Sequence, residues 1–213
     1  MRFHNREHAA RLLADKLAVY RGQHPLVVGI PRGAVPMAKV IAEALDGDLD
    51  IVLVHKLGAP GNPELAIGSV DESGHVLLHE YAWDLDVDEQ YIEQEKQAQL
   101  KTLHHRRAQY TPVRPPLDPT GRIVIVVDDG IATGASMLAA LRAVRAKQPA
   151  KLIVAVAVAP PETAARIRQE VDELVCLATP YDFMAVGQFF EDFSQVSDEQ
   201  AIAILRRSGV KAA

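Results

Sequence analysis

The chain has 213 residues, 48% hydrophobic and 24% charged, which suits one folded α/β domain and excludes a charge-extended disordered chain. Its formal net charge of −5 excludes a general electrostatic attraction to nucleic acid, although local basic patches stay open. The single cysteine, Cys176, cannot form an internal disulfide and stands in the apolar run Leu174-Val175-Cys176-Leu177, so a buried, inert thiol in a reducing compartment is expected.

The first segment, MRFHNREHAARLLADKL, is too charged for a signal peptide, and no apolar run approaches ~20 residues, so the expected location is cytoplasmic, with no membrane partner. Asn5 can cap a helix predicted over residues 6 to 20, with Ala9, Leu12, Leu13 and Leu17 on one face. Leu26 to Ile30 reads as a buried strand and Pro31-Arg32-Gly33-Ala34 as a turn. Pro36 then opens a helix to Leu45 at its permitted first-turn position. Asp50 to Val54 is the next strand, in a run that continues to Lys56, and Gly58, Pro60, Gly61 and Pro63 make a loop. Ala66 to Val70 and His75 to Leu78 read as a hairpin around Asp71-Glu72-Ser73-Gly74. Asp88 to Tyr110 is a long polar helix of weak amphipathicity, and the proline-rich Thr111 to Gly121 is a connector.

A strand from Ile123 and a helix over Met137 to Ala146 follow. Leu152 to Ala159 is fully apolar and is therefore expected inside the sheet. Pro161 begins another helix, Leu174 to Ala178 is a further strand, and Ser197-Asp198-Glu199-Gln200 has the form of a capping box for a last helix to Arg207. The alternation predicts a single α/β domain over residues 1–213, with a mostly parallel central sheet flanked by helices. Residues 66–118 interrupt it and read as an excursion from the sheet.

The stretch Ile123 to Ser136, IVIVVDDGIATGAS, carries the most chemistry. A β-branched run ends in two adjacent carboxylates, Asp128 and Asp129, and a small-residue turn leads into a helix. Ionised carboxylates accept hydrogen bonds, so an acidic pair suits two vicinal hydroxyls. Backbone N–H groups at the helix start suit a phosphate. A diol with a phosphate close by describes a ribose 5-phosphate. A Walker A loop is excluded, because no Gly-Lys-Ser/Thr follows the strand. The stretch closely resembles the phosphoribosyl pyrophosphate (PRPP) motif of the type I phosphoribosyltransferases. The resemblance implies that Asp128 and Asp129 hold the ribose 2- and 3-hydroxyls. It also implies that Ala132, Thr133, Gly134, Ala135 and Ser136 wrap the 5-phosphate.

Val28-Gly29-Ile30-Pro31-Arg32-Gly33-Ala34-Val35 is a second strand–turn–helix junction, where small residues admit a ligand to the backbone and Arg32 offers a guanidinium fork. It resembles the family's pyrophosphate loop, which implies pyrophosphate contacts from Gly29, Pro31, Arg32, Gly33 and Ala34. By the same resemblance Lys56 contacts pyrophosphate from a strand end, and Leu57 to Gly68 begins a mobile loop that shields the reacting centre from water. Glu64 is a candidate site acid or base, with a surface carboxylate as its plainer reading. The segment His55 to Glu64, the Phe3 start and Ala185-Val186-Gly187 together resemble a bacterial group of predicted phosphoribosyltransferases over nearly the full chain. That resemblance does not supply an acceptor.

Lys101, His104, His105, Arg106 and Arg107 form a basic cluster on the long helix, read as a solvated face or as a cover for the phosphates. His104 and His105 point about 100° apart on a helix, which disfavours a metal site. Phe183 to Phe193 loosely resembles the base-binding hood of hypoxanthine-guanine phosphoribosyltransferases, with the hood expected over residues 179–196. Phe183 or Met184 would stack on a base, and the backbone of Ala185 and Val186 would read its edge. Two departures stand against a simple carry-over. Ala132 replaces the acid that acts on the base in those enzymes, and Ala135 replaces a frequent glycine or lysine. No general base is therefore assigned.

The resemblance implies transfer of the 5-phosphoribosyl group of PRPP to a nitrogen acceptor, a nucleobase by expectation, with release of pyrophosphate. It implies Mg²⁺ held mainly by PRPP and water, with Asp128 and Asp129 nearby and no protein ligand assigned. A homodimer is the implied assembly. The rival reading is a PRPP-binding regulator without transferase activity. It is disfavoured by the acidic charge and the lack of an appended DNA-binding motif, and a basic face around Arg106, Arg107 and Arg114 would favour it.

Overall fold

A computed structural model describes residues 1–85, 87–112 and 115–207. The helix α1 (Arg6–Lys16) starts where expected, with the Asn5 side chain accepting the His8 amide at 2.9 Å. It ends at Lys16, and the remaining predicted turn is a separate 3-10 segment, Ala18–Tyr20, which buries Tyr20. The strand β1 (Leu26–Gly29), helix α2 (Val35–Leu45) and strand β2 (Asp48–Ile51) follow.

The run from Ile51 to Lys56 is not one strand. It breaks at Val52-Leu53, and β3 (Val54–Ala59) opens a second, antiparallel sheet with β4 (Asn62–Asp71) and β5 (Val76–Leu78). The expected loop at residues 58–63 is therefore the end of a hairpin, turning at Pro60-Gly61 with Gly61 at φ 70°. The register shifts on both sides of Gly58, which pairs with Ala66, and the extra residues stand on β4 as a bulge opposite the glycine. The helix α3 (Glu89–Tyr110) holds that glycine from outside. The Glu95 carboxylate accepts the Gly58 amide at 3.1 Å, and the Tyr91 hydroxyl donates to the Gly58 carbonyl at 2.9 Å. The departure from the parallel sheet thus begins at Val54, not at residue 66.

The chain then returns through β6 (Ile123–Asp128), α4 (Ala135–Arg145), β7 (Lys151–Val158), α5 (Pro161–Arg168), β8 (Glu173–Ala178) and α6 (Asp198–Arg207). The last helix is capped as its sequence predicts. Ser197 Oγ accepts the Gln200 amide at 3.2 Å, and Gln200 Oε1 accepts the Ser197 amide at 2.8 Å.

Five strands form one parallel sheet in the order β2-β1-β6-β7-β8. Val27, Ile125, Val127, Ile153 and Ala155 pack with Leu13 of α1, Ile41 of α2 and Leu205 of α6. The alternate residues Leu26, Val28, Val124, Val126, Val154 and Val156 pack with Leu141 of α4 and Ile167 of α5. Burial on both faces explains why these strands are continuously apolar and not alternating. The helices after β1 and β6 lie on opposite faces, although β1 and β6 are neighbours. Such a switch of winding opens a crevice at the carboxyl ends of the two strands. Among the described residues, no helix is long and apolar enough to cross a membrane.

Candidate active site

Both loops singled out in the sequence open into that crevice. Asp128 ends β6, and Asp129 follows it with its side chain 13% exposed. The Asp129 amide donates to Asp128 Oδ1 at 2.9 Å, which turns the chain sharply at the acid pair. Burial, then the neighbouring Asp129 charge, pushes the Asp128 carboxyl well above the usual range. Asp129 is also raised by burial, and the Arg6 guanidinium works against that rise.

Arg6 is a site residue that the sequence reading did not find. From the first turn of α1 its Nε donates to Asp129 Oδ2 at 2.8 Å, and its own side chain is 13% exposed. No local motif marks it, because its partner lies in a strand–turn segment far along the chain.

The loop after the acids leads into an uncapped helix start. Gly134 adopts φ 84° immediately before α4, a conformation strained for other residues, and no side chain caps the helix. The first helical hydrogen bond runs from the Leu138 amide to the Gly134 carbonyl at 2.8 Å, so the amides of Ala135 and Ser136 precede it as open donors. The exposed residues Ala132 and Thr133 are pinned from α5. Thr163 Oγ1 donates to the Ala132 carbonyl at 2.9 Å, and Arg166 donates to the Thr133 carbonyl. Thr163 and Arg166 also escaped the sequence reading, since they serve the loop through its carbonyls.

Gly29 ends β1, and the Pro31–Arg32 peptide is cis. Ala34 is buried at the start of α2. A Cβ at Gly33 would stand 2.6 Å from Asp129 Oδ2, so this turn lies directly against the acid pair and a side chain there would displace the carboxylate. Arg32 reaches Asp198 Oδ2 at 3.4 Å. The Tyr110 hydroxyl donates to Asp198 Oδ1 at 3.1 Å, and burial, followed by the Asp198 charge, pushes Tyr110 up to about 12.

The predicted hood also meets the acid-pair turn. A Cβ at Gly130 would lie 2.6 Å from a Val186 methyl, so the 3-10 segment Val186–Phe189 seats on that glycine. Phe183 stacks on Phe189 at 5.5 Å and so packs toward the core, whereas Met184 is 89% exposed. The amides of Met184 and Ala185 both donate to Gln188 Oε1, at 2.9 and 3.2 Å.

Other expected residues fall elsewhere. Lys56 lies within β3 opposite Ser69, on the antiparallel sheet and not at the end of a parallel strand. Arg107 is committed to Glu72 through two hydrogen bonds of 2.7 and 2.8 Å, and His104 lies 3.2 Å from the Glu72 carbonyl. That part of the basic cluster braces the β4–β5 turn. Arg114 and the Glu64 side chain lie outside the described residues. Cys176 is partly buried, and burial pushes its thiol up, as an inert cysteine requires.

A parallel sheet with a switch point, an acid pair and small-residue loop after β6, and a glycine turn after its neighbour β1 define an α/β protein of the type I phosphoribosyltransferase fold. The model of the phosphoribosyl transferase domain matches residues 3–191, and the chain belongs to that family. Two Mycobacterium tuberculosis proteins, of strains CDC 1551 and H37Rv, provisionally named phosphoribosyl transferases, are each 41% identical to it over 207 residues. The match covers 97% of this chain and 47% of each relative, so the chain spans about half the length of these curated relatives. A crystal structure of a Thermus thermophilus protein superposes with a TM-score of 0.86 at 47% identity, covering 98% of this chain and 99% of that one.

Proposed function

We propose that the protein transfers the 5-phosphoribosyl group of PRPP to a nitrogen of a nucleobase, releasing pyrophosphate. The observation that carries the reading is the acid pair at the end of β6, followed within one turn by the uncapped start of α4. That spacing fits a ribose diol and its 5-phosphate, with Asp128 and Asp129 accepting the 2- and 3-hydroxyls. The amides of Ala135 and Ser136, with the hydroxyls of Thr133 and Ser136, hold the phosphate. The Gly29–Ala34 backbone and Arg32 face the pyrophosphate, and residues 184–186 receive the acceptor. A C1–N bond forms as the C1–O bond to pyrophosphate breaks. With Ala132 in place of an acid, the rate derives from positioning and charge stabilisation.

The donor set at the crevice is carboxylate and backbone oxygen, which fits a hard cation. Among the described residues, no three His, Cys, Asp or Glu side chains gather to hold a metal. Mg²⁺ would accordingly be held by PRPP oxygens and water beside Asp128 and Asp129. The chemistry it supplies when bound is neutralisation of pyrophosphate charge.

The test is pyrophosphate release from PRPP and Mg²⁺ with a panel of purines, pyrimidines and other nitrogen acceptors. Base-dependent release that disappears in Asp128→Asn and Asp129→Asn supports the transferase and names its acceptor class. PRPP binding without release across the panel would favour the regulator. Absence of PRPP binding would overturn both readings. Of the face that would favour the regulator, Arg107 is already paired with Glu72.

A further inference from the structure

Arg6 makes more contacts than a surface ion pair needs. Its Nε holds Asp129, and its Nη1 donates to the Ser194 carbonyl at 2.7 Å. Its guanidinium carbon lies 3.9 Å from the centroid of the Phe193 ring. A Cβ at Gly33 would stand 3.4 Å from its Nη2, so the third nitrogen faces the pyrophosphate loop. One guanidinium thus touches the diol acid, the turn expected to carry pyrophosphate, and the strip that follows the acceptor segment.

The backbone around Arg6 is tied to the same strip. The Phe3 amide donates to the Phe189 carbonyl, the Glu191 amide to the Phe3 carbonyl and the Asp192 amide to the His4 carbonyl, each at 2.8 Å. The Asn5 cap then sets the first turn of α1, which aims Arg6 inward. The fold therefore delivers this guanidinium through a short lead hydrogen-bonded to that strip.

The chemistry gives it a task. A diol donates two hydrogen bonds, and only an ionised carboxylate presents acceptors alone. Two adjacent acids at a buried turn tend to share a proton. Among the described residues, Arg6 is the cation bonded to the pair. Its planar guanidinium holds Asp129 Oδ2 through Nε while Nη1 stays on the Ser194 carbonyl, two fixed directions that a single point charge does not supply.

We propose that Arg6 is a positioning residue of the PRPP site: it fixes Asp129 for the ribose diol and couples that acid to the strip at residues 189–194 beside the acceptor. This rests on the proposed function. It predicts that occupancy of the ribose site and order of the acceptor segment depend on one side chain.

The experiment is calorimetric titration of PRPP with Mg²⁺ into the wild type, Arg6→Gln and Arg6→Lys, with KM measured for both substrates once an acceptor is known. Arg6→Gln should weaken PRPP binding roughly tenfold to a hundredfold, the worth of one to two charge-assisted hydrogen bonds. Arg6→Lys keeps a charge for Asp129 but loses the second arm to Ser194 and the flat face on Phe193. It should recover most of the PRPP affinity while the acceptor KM stays raised, a split that general loosening would not produce. Equal PRPP affinity in folded Arg6→Gln and wild type overturns the proposal and leaves the transferase reading intact. If Arg6→Gln does not fold, Arg6→Lys decides alone, and unchanged values for both substrates overturn it. A wild type that does not bind PRPP removes the transferase reading, and the role of Arg6 with it.

Discussion

The two ends of the parallel sheet carry opposite electrostatics. At the amino ends acids are matched with cations. Asp48 meets Arg122 at 2.7 Å, Asp172 meets Arg145 at 3.1 Å, and Glu173 meets Lys151 at 3.0 Å. The Leu152 amide holds the Asp172 carboxyl below its ordinary value, and the Tyr20 hydroxyl does the same for Glu173. At the carboxyl ends burial drives Asp128 and Asp129 upward, with Arg6 as the cation bonded to the pair. The same apolar strands connect both ends, so the contrast does not come from the core. Acids are neutralised at one end, and a buried acid pair with one bonded cation is kept at the other, where the proposed function would have a ligand supply the further donors.

The largest break in this contrast is Asp129→Asn. It removes an ionised acceptor from the diol and leaves Arg6 without its carboxylate. PRPP affinity should fall roughly a hundredfold or more, with the circular dichroism spectrum unchanged. Wild-type affinity in this variant would detach the acid pair from ligand binding. Gly33→Ala comes next. Its methyl would enter within 2.6 Å of Asp129 Oδ2, forcing the short carboxylate aside. Calorimetry should show PRPP binding weakened roughly tenfold to a hundredfold, because small displacements of a binding group are costly.

Asp128→Asn tests the contrast through stability. A carboxyl raised on folding binds its proton more tightly in the folded state, so stability falls as pH rises from the ordinary carboxylate value to the folded one. At neutral pH this acid therefore works against the fold. Asp128→Asn should raise stability by about 0.5–2 kcal/mol at pH 7 in thermal or urea melts, while PRPP binding weakens. The gain should vanish at pH values where Asp128 is protonated. A variant less stable than wild type at neutral pH would show that the acid is compensated after all.

The legibility of the chain follows the same division. The parallel strands could be read because burial on both faces makes them apolar throughout. The acid pair and its loop could be read because they are contiguous, and local chemistry needs local spacing. The β4–β5 hairpin could be read as well, but the β3–β4 hairpin could not, because Val52-Leu53 joins two strands of different sheets in one apolar run, and Gly58 and Pro60 looked like a loop. Phe183 looked free to stack on a base but spends its face on Phe189. Arg6, Thr163 and Arg166 act through tertiary contacts with residues far along the chain, and composition or periodicity leaves no trace of such pairings.

The smallest effect belongs to Tyr20→Phe, at the end where charges are matched. The Tyr20 hydroxyl donates to Glu173 and accepts from Lys151, and the residue is 5% exposed. Glu173 and Lys151 are more open, with side chains 36% and 37% exposed, so water replaces part of what the hydroxyl gives them. The expected loss is about 0.5–1.5 kcal/mol at neutral pH, with PRPP affinity unchanged. The pH dependence has the opposite sign to that of Asp128→Asn. A depressed carboxyl contributes stability above its ordinary value and loses it as pH falls through the folded one. The deficit of Tyr20→Phe should therefore be full at neutral pH and shrink on acidification as Glu173 protonates. If PRPP affinity instead fell with stability, the two ends of the sheet would be mechanically coupled and the matched end would belong to the site as well.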